Sequence, residues 1–169
     1  AVLAARKIRE EIEGRPWLKA IPKSTYRSAW KSLPIAGDLW KALGEKGLSQ
    51  EILSVRQVGT GSAGALKAIA PDQKSPIILA GDSHNLVFHA GDDMHTRGAG
   101  LPDQLALELG FPVDLAGVRG SGATPARVNL LRRAQKDSNY WKKKKLVIWC
   151  FASREFTQSD GWKKVPLLP

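Results

Sequence analysis

Along the first thirteen residues, apolar side chains recur at helical spacing: Ala5, Ile8 and Ile12 share one face, with Arg6, Arg9, Glu10 and Glu13 elsewhere. Gly14 and Pro16 end the pattern, and no capping residue precedes it, so this helix reads as already under way at Ala1. From Pro16 to about Ser75 the pattern is irregular and carries Trp17, Trp30 and Trp40; it supports only a short helix over 38–43 and a short strand over 52–58. Beyond Pro76 the order is clear. A strand over 76–80 leads into a polar loop, a helix over 102–109, a strand over 112–116, a glycine-rich loop, a helix over 125–136 and a strand over 145–151. Pro102 and Pro125 stand in first helical turns, Thr124 is a candidate N-cap, and Gly110 follows the last apolar residue of its helix.

Strands that alternate with helices and are apolar almost throughout predict an α/β domain, with a mostly parallel sheet between two helical layers. The 169 residues are enough for one domain, of which 76–156 is the best-defined βαβαβ core. Ligands of such sheets bind beyond the carboxyl ends of the strands. Three loops meet there: GDSHN (81–85), GVRGSGAT (117–124) and ASREF (152–156).

Charge adds a constraint on partners. With 26 Lys and Arg against 16 Asp and Glu, the formal net charge is +10, which favours an anionic partner such as nucleic acid, acidic lipid or a polyuronate. The basic residues are scattered, with one run at Lys142–Lys145 that reads as a solvated loop, and neither zinc-finger spacing nor an aromatic RNA-binding signature occurs. A nucleic-acid partner is therefore not expected. No apolar run approaches the roughly 18 residues of a membrane span. The single cysteine, Cys150, lies in the apolar run LVIWCF and reads as a small buried hydrophobe; Trp149 beside it reads as core.

At the sheet edge, Ser83 is the candidate nucleophile, because a serine on a sharp turn after a buried strand can present its oxygen outward. Gly-Asp-Ser strings also occur in loops where they only satisfy backbone groups. The oxyanion donors would be the Ser83 N–H, an N–H near Gly120–Gly122, and the side chain of Asn85; the glycines serve equally to turn the chain. His84 adjoins Ser83 and diverges from it, which makes it a poor base for that serine. A pair formed by Asp92 and His95 is a candidate base, against the alternative of a surface-loop histidine. His89, Asp92, Asp93 and His95 match no strong metal-ligand spacing, so no metal and no cofactor are expected. Arg127 and Arg154 are candidate substrate ligands, Arg154 for a uronate carboxylate, with a cap or an Arg154–Glu155 pair as the structural alternatives.

The GDS block after an apolar strand, followed by the GSG loop after the next, resembles the SGNH hydrolases. More narrowly, RGAGLPDQLALELGFPVDL and KKKKLVIWCFASREFTQSDGWKKVPL, with GDLWKAL and ILSVRQV upstream, resemble the SGNH-like domain of the AlgX and AlgJ group of alginate O-acetyltransferases. That resemblance implies a three-layer domain in which Ser83 accepts an acetyl group and passes it to a hydroxyl of an anionic cell-envelope polysaccharide. It also implies an acetyl donor, for which a membrane acetyl-transfer protein is one source, and a periplasmic or envelope location. In the group the base and its carboxylate come from an Asp-x-His motif upstream of the serine block. Residues 1–80 contain no histidine, so the chain is expected to begin just after that motif or to be a member lacking it. In the first case it is an acetyltransferase or esterase only when the upstream residues are supplied, and the isolated piece would expose part of an apolar sheet face. In the second it is a non-catalytic carbohydrate-binding or assembly domain. A small-ester hydrolase using His95 is a further alternative.

Overall fold

Helix α1 spans Val2–Ile12 in the computed structural model, which describes residues 1–44, 47–62, 64–120, 122–157 and 163–168. Then follow α2 (Pro16–Lys19), β1 (Arg27–Ile35), α3 (Asp38–Leu43), β2 (Glu51–Ser62), β3 (Ala65–Lys67), β4 (Ile77–Gly81), α4 (Leu101–Leu109), β5 (Asp114–Gly117), α5 (Ala123–Lys136), β6 (Leu146–Cys150) and α6 (Arg154–Thr157). The expected βαβαβ order is present, and β5, β4 and β6 form a parallel sheet in that spatial order.

Strand β4 is central and buried on both faces, which is why Ile77, Ile78 and Leu79 could be consecutive apolar residues without alternation. Ile77 and Leu79 face one side and pack with Ala5, Ile12, Leu105, Leu109, Phe111 and Val113, the layer made by α1 and α4. Ile78 and Ala80 face the other side and pack with Leu130, Ala134 and Tyr140 from α5 and the turn after it. Strand β6 lies at the edge, so its alternate positions Val147 and Trp149 are 44% and 38% exposed. Trp149 is therefore no core residue: its ring stands 5.6 Å from that of Phe151 and lines an apolar cavity between the sheet and α5. Cys150 points to the other face, partly buried against the first core layer; burial, then the nearby Asp82 charge, pushes its thiol pKa up.

The stretch that reads as irregular contains a second sheet. β1 pairs antiparallel with β2 from Arg27↔Gly59 to Ile35↔Glu51, and β2 with β3. β1 is an edge strand with little burial; Pro34 falls near its end, and Trp30 is 65% exposed. Only the middle of β2 is buried, where Val58 is covered and Arg56 reaches α4, donating to Gln104 Oε1 at 2.7 Å and Glu108 Oε1 at 2.9 Å.

The Lys142–Lys145 run is not simply a solvated loop. Lys144 turns inward and donates to Asp114 Oδ2 and Gln73 O, each at 2.6 Å, and to Ser75 O at 2.9 Å. Asp114 is fully buried at the amino end of β5 and also accepts from Tyr140 Oη at 2.6 Å and from Arg133. This cluster closes the end of the sheet opposite the candidate site.

Candidate functional site

Ser83 begins a 3-10 turn, Ser83–Asn85, two residues beyond the end of β4. Gly81 permits the turn to lie close to β6, because a Cβ there would run into Cys150 O. Asp82 and Asn85 then fasten it. Asp82 is 1% exposed; its Oδ2 accepts from Ala152 N–H at 2.9 Å and its Oδ1 from His84 N–H at 3.0 Å. Burial acts to raise the Asp82 pKa, but the N–H groups of Ala152 and His84, together with the His84 ring, outweigh it and hold the carboxyl below its usual range. Asn85 is fully buried and its amide donates to Cys150 O at 2.7 Å and to Asp82 O at 3.3 Å. Both amide hydrogens are thus committed, which removes Asn85 Nδ2 from the expected oxyanion donors.

The three loops do converge at this edge. Asp82 ties the loop after β4 to Ala152 after β6, and Arg119 after β5 donates to both carboxylate oxygens of Asp93 at 2.8 and 2.6 Å. Gly120 lies in the loop after β5 at φ 63°, and Gly122 is the N-cap of α5. Ser121 between them lies outside the described residues, as do 158–162 of the C-terminal stretch that carries part of the resemblance. Thr124 is not the cap. Glu155 Oε2 accepts from Ala123 N–H at 2.8 Å, so the cap of α5 is a carboxylate brought from α6, and Thr124 sits inside the helix, accepting from Arg127 Nη2 at 3.0 Å. Arg127 also donates to Ala123 O at 3.4 Å and is folded along its own helix, beside an apolar cavity of about 200 Å³ lined by Ala80, Leu130, Trp141 and Trp149. Arg154, the first residue of α6, is exposed near the same edge.

The expected pair of Asp92 and His95 does not form. The Asp92 carboxylate accepts from Arg97 Nη2 at 3.3 Å, and the His95 ring packs against Phe88 at 5.6 Å between centroids. Asp92 and His95 have φ 53° and 74°, so this loop turns twice through left-handed backbone and separates the two side chains. A different histidine has a buried carboxylate: His89 Nδ1 lies 2.9 Å from Asp103 Oδ2, which also accepts from Gly100 N–H at the start of α4. Burial raises the Asp103 pKa despite those bonds. With Asp93 on Arg119, Asp92 on Arg97 and His89 on Asp103, the polar groups of this loop have separate protein partners, and no group of three or more His, Cys, Asp or Glu suited to a metal occurs among the described residues.

Among the described residues no hydrogen bond joins the Ser83 hydroxyl to a histidine. His84 has a partner of its own, its Nδ1 standing 2.9 Å from Asp82 Oδ1. The i, i+2 spacing of Asp82 and His84 was the available signal for that contact.

A parallel sheet covered by α1 and α4 on one face and α5 on the other, with a GDS turn after its central strand, is the arrangement of an SGNH-like α/β domain. Two solved structures share it. The chain is similar to the O-acetyltransferase domain of Pseudomonas putida AlgJ, at 18% identity and a TM-score of 0.58 over 94% of this chain and 50% of that one. It is similar also to Pseudomonas aeruginosa AlgX, at 16% identity and a TM-score of 0.56 over 92% of this chain and 35% of that one. The chain thus has the fold of an AlgX/AlgJ-like domain and spans half or less of the length of these structures. No family model matches the chain, and no curated protein matches it in sequence.

Proposed function

We propose that this chain is the serine-bearing part of an O-acetyltransferase-like SGNH domain that moves an acetyl group through Ser83 to a hydroxyl of an anionic cell-envelope polysaccharide. The observation that carries the reading is the position of Ser83 on a fastened turn beyond the central strand, in a fold shared with the O-acetyltransferase domain of AlgJ. Ser83 Oγ attacks the acetyl carbonyl, and the Ser83 N–H with backbone near Gly120 and Gly122 stabilises the oxyanion. Arg154, exposed near this edge, and Arg127 would meet the acceptor's carboxylates, and the net charge of +10 favours such an acceptor. The acetyl donor includes a membrane acetyl-transfer protein as one source, and the place of action is the periplasm or envelope. No described helix is long and apolar enough to cross a membrane.

The base that takes the Ser83 proton, and its orienting carboxylate, come in this reading from residues preceding Ala1. Supporting this, Ala1, Val2 and Leu3 line a groove of about 330 Å³ together with Trp30 and with Phe88 and Ala99, which belong to the segment following Ser83. That groove joins the start of α1 to the segment that follows Ser83. The test is turnover of a small acetyl ester, and acetylation of Ser83, in the full-length protein and in Ser83→Ala, once both are shown to fold. Loss of turnover in the variant alone is expected; equal turnover in both would overturn the reading. A second reading, a carbohydrate-binding or assembly domain without catalysis, is favoured by the lack of a histidine bonded to Ser83 among the described residues. It predicts polysaccharide binding that Ser83→Ala leaves intact, with no turnover in either protein.

A further inference from the structure

We infer that His84, oriented by Asp82, is a second base at this site, serving the acceptor hydroxyl in the step that unloads acetyl from Ser83. The inference rests on Ser83 being the acetyl carrier.

The carboxylate of Asp82 is 1% exposed, and both of its oxygens are fixed by N–H groups, of Ala152 on Oδ2 and of His84 on Oδ1. An ionised carboxylate only accepts, so the 2.9 Å contact with the ring requires the proton of His84 to sit on Nδ1. Nε2 then carries a lone pair. No described residue takes that nitrogen, and the ring is 59% exposed at the mouth of the loops. A buried carboxylate that holds a histidine in one tautomer, with the outer nitrogen open to solvent, is the geometry of a general base. The residue next to it is Ser83.

The same geometry decides which proton His84 takes. Side chains at successive positions of a 3-10 turn point roughly 120° apart, since the turn has about three residues. His84 therefore stands to one side of Ser83, with its outer nitrogen open to a hydroxyl coming from solvent. In the unloading step Nε2 removes the acceptor's proton as the acceptor oxygen bonds to the acetyl carbon. The bond from that carbon to Ser83 Oγ then breaks, and the proton passes from Nε2 to Oγ through one water. Acceptor ester and free serine result, His84 is neutral again, and no further reactant is consumed. With water as acceptor, the product is acetate.

His84→Asn separates the two halves of this role, because the Asn amide can still donate to Asp82 but offers no base nitrogen. The full-length protein, His84→Asn and Ser83→Ala would each be mixed with p-nitrophenyl acetate, and both p-nitrophenol release and the acetyl-protein mass followed. Expected in His84→Asn is an unchanged first turnover, accumulation of acetyl on Ser83, and a steady rate lower by about a hundredfold. Wild-type steady turnover in His84→Asn, with Ser83→Ala inactive, overturns the role of His84 and leaves Ser83 standing. Failure of His84→Asn to load acetyl at all, with circular dichroism unchanged and His84→Gln alike, assigns His84 to the serine's own proton and also overturns the inference. Turnover in Ser83→Ala equal to wild type, or a wild-type protein that neither turns over nor takes up acetyl, removes the carrier and this step together.

Discussion

Glu155 Oε2 bonds the Ala123 N–H at 2.8 Å, and a Cβ on Gly122 would run into that carboxylate. The two positions are coupled: a glycine precedes α5 because the carboxylate that caps it arrives from another element. Gly122→Ala is expected to push the carboxylate off the helix end, and Glu155→Ala to remove it. Each change should lower stability by about 0.5–2 kcal/mol, as for loss of a helix cap. Thermal melts of both variants, with amide exchange at Ala123 accelerated in each, check this; Thr124→Ala, expected to cost less, is the control for a cap within the helix itself.

Burying Asp114 under Arg133, Lys144 and Tyr140 makes a cluster that tolerates no missing member. Burial, then the hydrogen bond to Asp114, raises the Tyr140 pKa, while burial lowers that of Lys144 although Asp114 opposes the shift. Asp114→Ala leaves two cations facing an apolar end of the sheet, and a loss of about 3–5 kcal/mol is expected. Lys142→Ala, two residues from Lys144 and exposed, should change stability by less than about 0.5 kcal/mol. Urea unfolding of the two variants would separate a structural lysine from a solvated one in the same run.

Arg56 holds the β1–β2 hairpin to α4 through Gln104 and Glu108, and Gln104 Nε2 returns a bond to Arg56 O at 2.7 Å. Glu108 keeps more distant partners, Arg6 at 3.6 Å and Arg9 at 3.8 Å, whereas Gln104 Oε1 has none to replace Arg56 among the described residues. Arg56→Met should therefore loosen the hairpin more than the parallel sheet. Limited proteolysis is expected to cut within 27–62 faster in the variant, with the amides of β4 still protected from exchange.

What could be read from the chain follows from which forces are local. Ile77–Gly81 was legible because a strand buried on both faces must be apolar without interruption, and Pro102 and Gly110 marked the ends of α4 by backbone chemistry alone. The β1–β2 pairing was not, since Trp30, Ser32, Pro34 and Ile52 sit on a largely exposed ribbon where no burial enforces alternation. Long-range polar partners were equally hidden: Glu155 displaces Thr124 as the cap across 32 residues, and Asp114 draws Lys144 out of a basic run across 30. At the site, the turn that carries Ser83 was legible from its place after β4, while the separation of Asp92 from His95 needed the left-handed turns of their loop.

Asp82 offers a test of how the serine turn is held. Its folded pKa lies below the usual carboxylate value, because the N–H groups of Ala152 and His84 and the His84 ring overcome its burial. A depressed pKa means that the native state prefers the ionised form, so the contribution to stability is complete above the unfolded value of about 3.9 and is lost as pH falls through the lower folded value. Asp82→Asn removes the titration and turns an amide N–H toward one of the two backbone donors. The stability gap between wild type and Asp82→Asn is therefore expected to be constant from neutral pH down to about pH 5 and to shrink in more acid solution. Urea midpoints for both proteins across that range would measure it. A gap that grows in acid would mean that Asp82 holds the turn as a neutral group, so that the tautomer of His84 would no longer be fixed; a gap that does not change with pH would mean that its folded pKa is not depressed.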